Sequence, residues 1–265
     1  MTIFLSALLL LLQCGLSQAP DTADPVAVCS AWRAGHAQGT SPQSYRPRPD
    51  LLCFVGDIDA SSAADFVETL DGSEPTGPVT IVVDSLGGDA EAGITMGEAL
   101  LSREATVVVD GICASSCANY LFVAADRRVI GPRSMLVFHG GIVELNRDDL
   151  RRSLGGQVPE AQVETTIDSL EKQIQQKIQR QDSFLRAADV DVDLFRWMAS
   201  AFASPRREAG ECQIQEADAV VFSDELLAAR GVEIHQNEGP TTDAGIADLL
   251  RNAGLSKRVC LIDRV

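Results

Sequence analysis

Ser115, His139 and the pair Gly87-Gly88 offer, in one stretch of chain, a nucleophile, a base and a backbone anion site. Ser115 stands in Gly111-Ile112-Cys113-Ala114-Ser115-Ser116-Cys117, where small residues let the backbone bend sharply between a strand and a helix. A serine hydroxyl is a poor nucleophile until a base takes its proton. His139 is the candidate base, because it ends an apolar run and is followed by Gly140 and Gly141. The other two histidines, His36 and His235, fall in a Pro-rich arm and near the tail. Acyl transfer also needs donors aimed at the oxyanion. The Gly88 N–H can approach without a Cβ in the way, and the Ser116 N–H lies beside the nucleophile.

Strand ends must hold these groups. Residues 51–55, 79–83, 106–109 and 135–138 are short apolar or β-branched runs, as expected of strands covered on both faces. Helical patterns at 63–70, 89–102 and 117–125 alternate with them. The alternation predicts an α/β fold, a parallel sheet with right-handed crossover helices. Residues 141–158 are polar and read as a loop. Residues 160–187 read as one long helix, on which Val163, Ile167, Leu170, Ile174, Ile178 and Leu185 form a single apolar stripe. That stripe either packs on its own domain or pairs with another copy of the chain. A further helix is expected within 189–203, and short strands at 220–222 and 232–234.

Composition narrows the function class. The chain has 265 residues, 45% of them hydrophobic, and a net charge of -16. A sizeable core is available, and a nucleic-acid partner is disfavoured because phosphate binding needs clustered Lys and Arg. Residues 1–19 read as a secretory signal, with a short apolar run and cleavage expected after Ala19. Export to a bacterial periplasm or beyond is the expectation, and an N-terminal membrane anchor the alternative. Residues 20–50 read as an irregular Pro-rich arm, 51–235 as the main domain and 236–265 as a tail. Beyond the signal there are six cysteines, an even number that fits disulfides in an oxidising compartment. Cys113 and Cys117 bracket Ser115 and could close a short loop. Cys29 and Cys53 could tie down the arm, and Cys260 the tail. No metal-ligand spacing and no nucleotide-binding loop is present, so no metal and no cofactor is expected.

Residues 79–140 resemble the Clp protease proteolytic subunit and its relatives in the Clp/crotonase superfamily. Asp84-Ser85-Leu86-Gly87-Gly88 is similar to that family's Asn-Ser-Pro-Gly-Gly segment, and 111–115 to its Gly-x-Ala-Ala-Ser nucleophile turn. Arg128, Pro132, Ser134 and His139 are similar to its Arg…Pro…His segment. The resemblance implies a Clp/crotonase-like core and a serine hydrolase, most plainly a peptidase acting on peptides or proteins. It places the nucleophile on Ser115 rather than Ser116, and makes 160–187 the counterpart of a handle helix that joins subunits in a homo-oligomer. The third triad position falls on Ala219, so Asp218, the nearest acid, is carried as the orienter of His139. A Cys-x-Ser-x-Cys turn is similar to exported Clp-like proteins of bacteria. A signal sequence argues against an ATP-driven unfoldase as partner. Two other readings compete: a crotonase-type acyl-thioester enzyme, which would need room for coenzyme A and carboxylates for proton transfer, and a non-catalytic binding or scaffold protein on the same core.

Overall fold

Apolar rows stacked strand against strand make the centre of the molecule. The structure is a computed structural model and describes residues 23–35, 43–72, 77–203 and 217–263. Helix α1 (Pro25–Ala34) leads into strands β1 (Ser44–Arg48) and β2 (Leu51–Val55). Helix α2 (Ala60–Asp71), strand β3 (Val79–Ser85), helix α3 (Ala90–Leu100) and strand β4 (Ala105–Ala114) follow. A π-helix (Cys117–Phe122) precedes β5 (Arg127–Ile130) and β6 (Met135–Val137). The second half holds α4 (Arg147–Leu154), α5 (Glu160–Ala187), α6 (Leu194–Ala203), β7 (Ala219–Phe222), α7 (Asp224–Ala228), β8 (Gln236–Asn237), α8 (Asp243–Asn252) and β9 (Val259–Ile262).

The expected mixed α/β architecture with a mostly parallel sheet is the one found. Seven strands run in the order β1-β2-β3-β4-β5-β8, with β6 also on β4. Only β1 is antiparallel to its neighbour. Leu52, Ile81 and Val107 align across β2, β3 and β4 and are fully buried, which is why these runs are apolar on both faces.

Strand β4 changes partner along its length. Thr106 to Val109 pair with β5, and Ile112 to Ala114 pair with β6. The change comes at Gly111, whose φ of 129° favours glycine and whose Cβ would lie 2.5 Å from Asp84 Oδ1. The Asp84 carboxylate fills that space, accepting from the Ile112 N–H at 2.9 Å and from Arg33 at 2.8 Å. Arg33 also pairs with Asp110 at 3.0 Å, so α1 is anchored on the strand ends that carry the site. The Cys29–Cys53 disulfide adds a covalent tie across 24 residues, worth about 3.5 kcal/mol on the chain-entropy account.

Several segments differ from the sequence expectation. The arm at 20–50 is not irregular throughout: it contains α1, capped by Asp24, and β1. The 141–158 segment holds α4, whose Asn146 side chain accepts from the Asp148 and Asp149 N–H groups. The tail contains α8 and β9. The latter pairs with β7 in a second, two-stranded sheet, and both pack on Ile112, Met135 and Val137. Residues 232–234 form no strand, and β8 at 236–237 pairs with β5 instead. The expected signal segment, His36 and Cys212 lie outside the described residues. Cys260 is disulfide-bonded. None of the described helices is long and apolar enough to cross a membrane.

Helix α5 spans the expected residues. Within a single chain Val163, Ile167, Ile178 and Leu185 are already buried, and Leu170 and Ile174 half-buried. Helix α4 lies along its first half through Arg147, which meets Glu164, Asp168 and Glu171, and through Arg151 on Glu164. The stripe is therefore largely packed on its own protomer.

Candidate active site

The end of β4 and the start of the π-helix hold Ser115 in a left-handed conformation, φ 55°. For a residue with a Cβ that costs on the order of 1–2 kcal/mol, so neighbouring contacts must fix it. Three do. The Ser115 N–H donates to the Val137 carbonyl at 3.0 Å, and the Ser115 carbonyl accepts from the Asn119 N–H at 2.8 Å. The Cys113–Cys117 disulfide closes the turn around it, with both cysteines fully buried. Replacing both cysteines by alanine is expected to lower unfolding stability by about 2 kcal/mol, the loop-closure value for so short a ring. Denaturant titration of the double variant measures this. An unchanged midpoint would mean that packing alone holds the turn.

Against this turn lies the Gly87-Gly88 loop. A Cβ on Gly87 would sit 2.4 Å from the Ala114 carbonyl oxygen and 2.6 Å from Ser115 Cβ. A Cβ on Gly88 would sit 2.1 Å from the Ile58 carbonyl oxygen. Both glycines also have positive φ, so only glycine fits either place. The Ile58 N–H donates to the Gly87 carbonyl, and the Asp89 N–H to the Ile58 carbonyl. The Ser116 hydroxyl donates to the Gly88 carbonyl at 2.7 Å and so holds the Gly88–Asp89 peptide, while the Ile58 N–H holds the peptide that carries the Gly88 N–H. The Gly88 and Ser116 N–H groups themselves meet no acceptor among the described residues, and Gly88 is exposed.

His139 extends from the end of β6. Its Nε2 lies 2.6 Å from Ser115 Oγ, a hydrogen bond in which the hydroxyl can donate to the imidazole. The structure thus brings the sequence-predicted nucleophile and base together, with the Gly87-Gly88 loop packed against the nucleophile turn. Asp218 does not join them. It is exposed, accepts from the Arg258 N–H at 2.9 Å and faces Lys257 at 3.4 Å. The Arg258 N–H and the Lys257 charge hold its carboxyl below the ordinary carboxylate range. Among the described residues no carboxylate is hydrogen-bonded to His139.

The base strand meets β7 at the same point. Phe138 and Val220 exchange both backbone hydrogen bonds at 2.7 Å in an antiparallel bridge. The next cross-strand pair is therefore His139 opposite Ala219, on one face. The side chain at the expected third position is a buried methyl group.

Other residues of the resembling segments have structural work that sequence alone does not assign. Arg128 is buried and donates to the carbonyls of Phe122 and Val123 at the end of the π-helix, and to that of Glu233. Burial holds its guanidinium pKa below the ordinary value. Ser134 accepts from the Gly111 N–H at the β4 partner change. Among the described residues no group of three or more His, Cys, Asp or Glu could hold a metal ion.

The comparison with family models agrees with this architecture. Residues 48–193 match the family model described as Clp protease. Among solved structures, a mutant of ClpP1 from Listeria monocytogenes is similar, at 19% identity and a TM-score of 0.37, over 56% of this chain and 75% of that one. No curated protein matches the chain.

Proposed function

The chain belongs to the Clp protease family, and we propose that it is a serine peptidase working through Ser115 and His139. Members of the family are oligomeric and act on peptides or proteins. The observation that carries the reading is the 2.6 Å contact between His139 Nε2 and Ser115 Oγ, next to two N–H groups that meet no acceptor among the described residues.

The chemistry follows from that arrangement. His139 takes the hydroxyl proton as Ser115 Oγ attacks the scissile carbonyl. The carbonyl oxygen becomes an oxyanion and accepts from the Gly88 and Ser116 N–H groups. His139 returns the proton to the leaving amine, and a water activated by the same imidazole hydrolyses the acyl-enzyme. No step calls on a metal or a cofactor. A groove of about 720 Å³ opens at Leu86, next to the oxyanion loop, and is lined further by Ile112, Arg133, Leu249 and Leu255. Leu86 is half exposed and offers apolar surface to a bound peptide. The apolar segment at 1–19 and the paired cysteines support export to an oxidising compartment, where no ATP-driven unfoldase would feed the enzyme.

Labelling with a serine-directed fluorophosphonate tests the reading. The adduct is expected on Ser115 by peptide mass spectrometry. Ser116→Ala keeps the label and reacts within about threefold of wild type, because the hydroxyl it removes holds the Gly88 carbonyl, while the peptide bearing the Gly88 N–H is held by the Ile58 N–H on the Gly87 carbonyl. Folded protein that takes no label would defeat the proposal and leave a binding protein on the same core, and a label on Ser116 would overturn the assignment of the nucleophile.

A further inference from the structure

We infer that Gln181 of α5 and Asn119 of the π-helix are positioning residues for His139, holding the backbone just beyond it where no described residue offers the imidazole a carboxylate. This rests on the Ser115–His139 reading above.

His139 lies between two anchors. On one side Phe138 is fixed to Val220 through both of its backbone groups. On the other, the Gly140 carbonyl accepts from Asn119 Nδ2 at 2.6 Å. Two residues on, Gln181 engages both backbone groups of Ile142. Its Oε1 accepts from the Ile142 N–H at 2.9 Å, and its Nε2 donates to the Ile142 carbonyl at 3.0 Å. The same Oε1 accepts from the Tyr120 hydroxyl at 2.8 Å. Burial raises the Tyr120 pKa well above its ordinary value, so the phenol stays a donor. With Tyr120 O–H and Ile142 N–H both donating to one atom, the orientation of the amide is fixed.

The packing leaves little slack. A Cβ on Gly141 would lie 2.7 Å from Gln181 Oε1 and 2.5 Å from Phe195 Cγ, so this glycine lets the loop seat against the amide. Gln181 and Asn119 are each 3% exposed. Burying polar side chains there is costly where an acceptor stays unpaired, as Asn119 Oδ1 does among the described residues. An aliphatic residue would serve the core alone. What the two amides add is a fixed path for residues 140–142, and therefore a fixed place for the imidazole one residue earlier. Because α5 supplies Gln181, the position of the base is set by a helix outside the sheet.

The test uses the full chain and two readouts. Gln181→Met keeps the volume and deletes all three hydrogen bonds. Its kcat on a chromogenic peptide is expected to fall about 30-fold with KM within about twofold, since a small displacement of a catalytic group costs this much. The His139 ring signal in a carbon-correlated NMR spectrum, assigned with His139→Gln, should broaden or shift while those of His36 and His235 stay. Ile178→Ala, a buried truncation on the same helix, controls for lost stability and should leave kcat and the ring signal in place. Loss of activity in both variants in proportion to melting temperature, with an unmoved His139 signal, would overturn the inference. Should the wild-type protein fail to hydrolyse peptides, the catalytic reading falls. The positioning claim is then decided by the ring signal alone, and an unmoved signal in Gln181→Met refutes it.

Discussion

Ser115→Ala and His139→Ala are each expected to lower peptide hydrolysis by about 10³- to 10⁴-fold, and the double variant by no more than either alone. The size follows from the 2.6 Å contact. The hydroxyl has no other base within hydrogen-bonding distance among the described residues, so removing the imidazole leaves an unactivated alcohol. Removing the hydroxyl leaves a base with nothing to deprotonate but water. The two losses therefore describe one event and cannot add. Residual turnover comes from the Gly88 and Ser116 N–H groups, which neither change touches. The loss should appear in kcat, because neither side chain lies in the groove that begins at Leu86. Single-turnover hydrolysis of a chromogenic peptide measures it. A His139→Ala variant within about tenfold of wild type, or losses that multiply in the double variant, would mean that another group activates the serine.

Much of this site is legible in the amino-acid sequence. Ser115 and His139 are polar residues at the ends of apolar strands, and glycines beside them mark close backbone approaches, a pattern that strand burial and turn chemistry make visible. The partner change in β4 is not legible. It depends on the Asp84 carboxylate occupying the space over Gly111, and no local pattern announces that. Helix α4 reads as a loop because Arg147, Asp148, Asp149, Arg151 and Arg152 leave only Leu150 and Leu154 to make an apolar face. It lies against α5 through ion pairs and the half-buried Leu150 and Leu154, a setting that only the tertiary arrangement supplies. The tail resembles a loop for a different reason: β9 finds its partner β7 about 40 residues away. Gln181 is hidden among several glutamines on one helix, and its partner Ile142 lies 39 residues upstream. A glutamine on the buried face of an amphipathic helix is the available signal. Asp218 shows the opposite failure. Proximity in sequence to the third position says nothing of the direction in which its carboxylate points, and the Arg258 N–H takes it.

Ala219→Asp is expected to raise kcat about tenfold or more, by giving His139 the carboxylate that no described residue provides. The bridge between Phe138 and Val220 sets Ala219 opposite His139, and such facing pairs hold their Cβ atoms about 5 Å apart. A carboxylate on that Cβ reaches the imidazole Nδ1 side, fixes the tautomer that leaves Nε2 free to accept from Ser115, and stabilises the imidazolium as it forms. The gain is smaller than the loss seen when an evolved triad loses its acid, because nothing here was built to hold an aspartate. Ala219 is 8% exposed and belongs to an apolar cluster with Val137, Ile246 and Val259. A carboxylate there is expected to cost about 1–3 kcal/mol of stability, offset in part when it pairs with the charged imidazole. Ala219→Asn separates the terms: it fills the same volume without the charge and should lose stability with little gain in rate. Combined with Gln181→Met, the aspartate should recover part of the lost kcat, since both hold the same ring from different sides. An Ala219→Asp protein that stays folded and is no faster than wild type would mean that the dyad and its backbone clamp already fix His139 as well as an acid would.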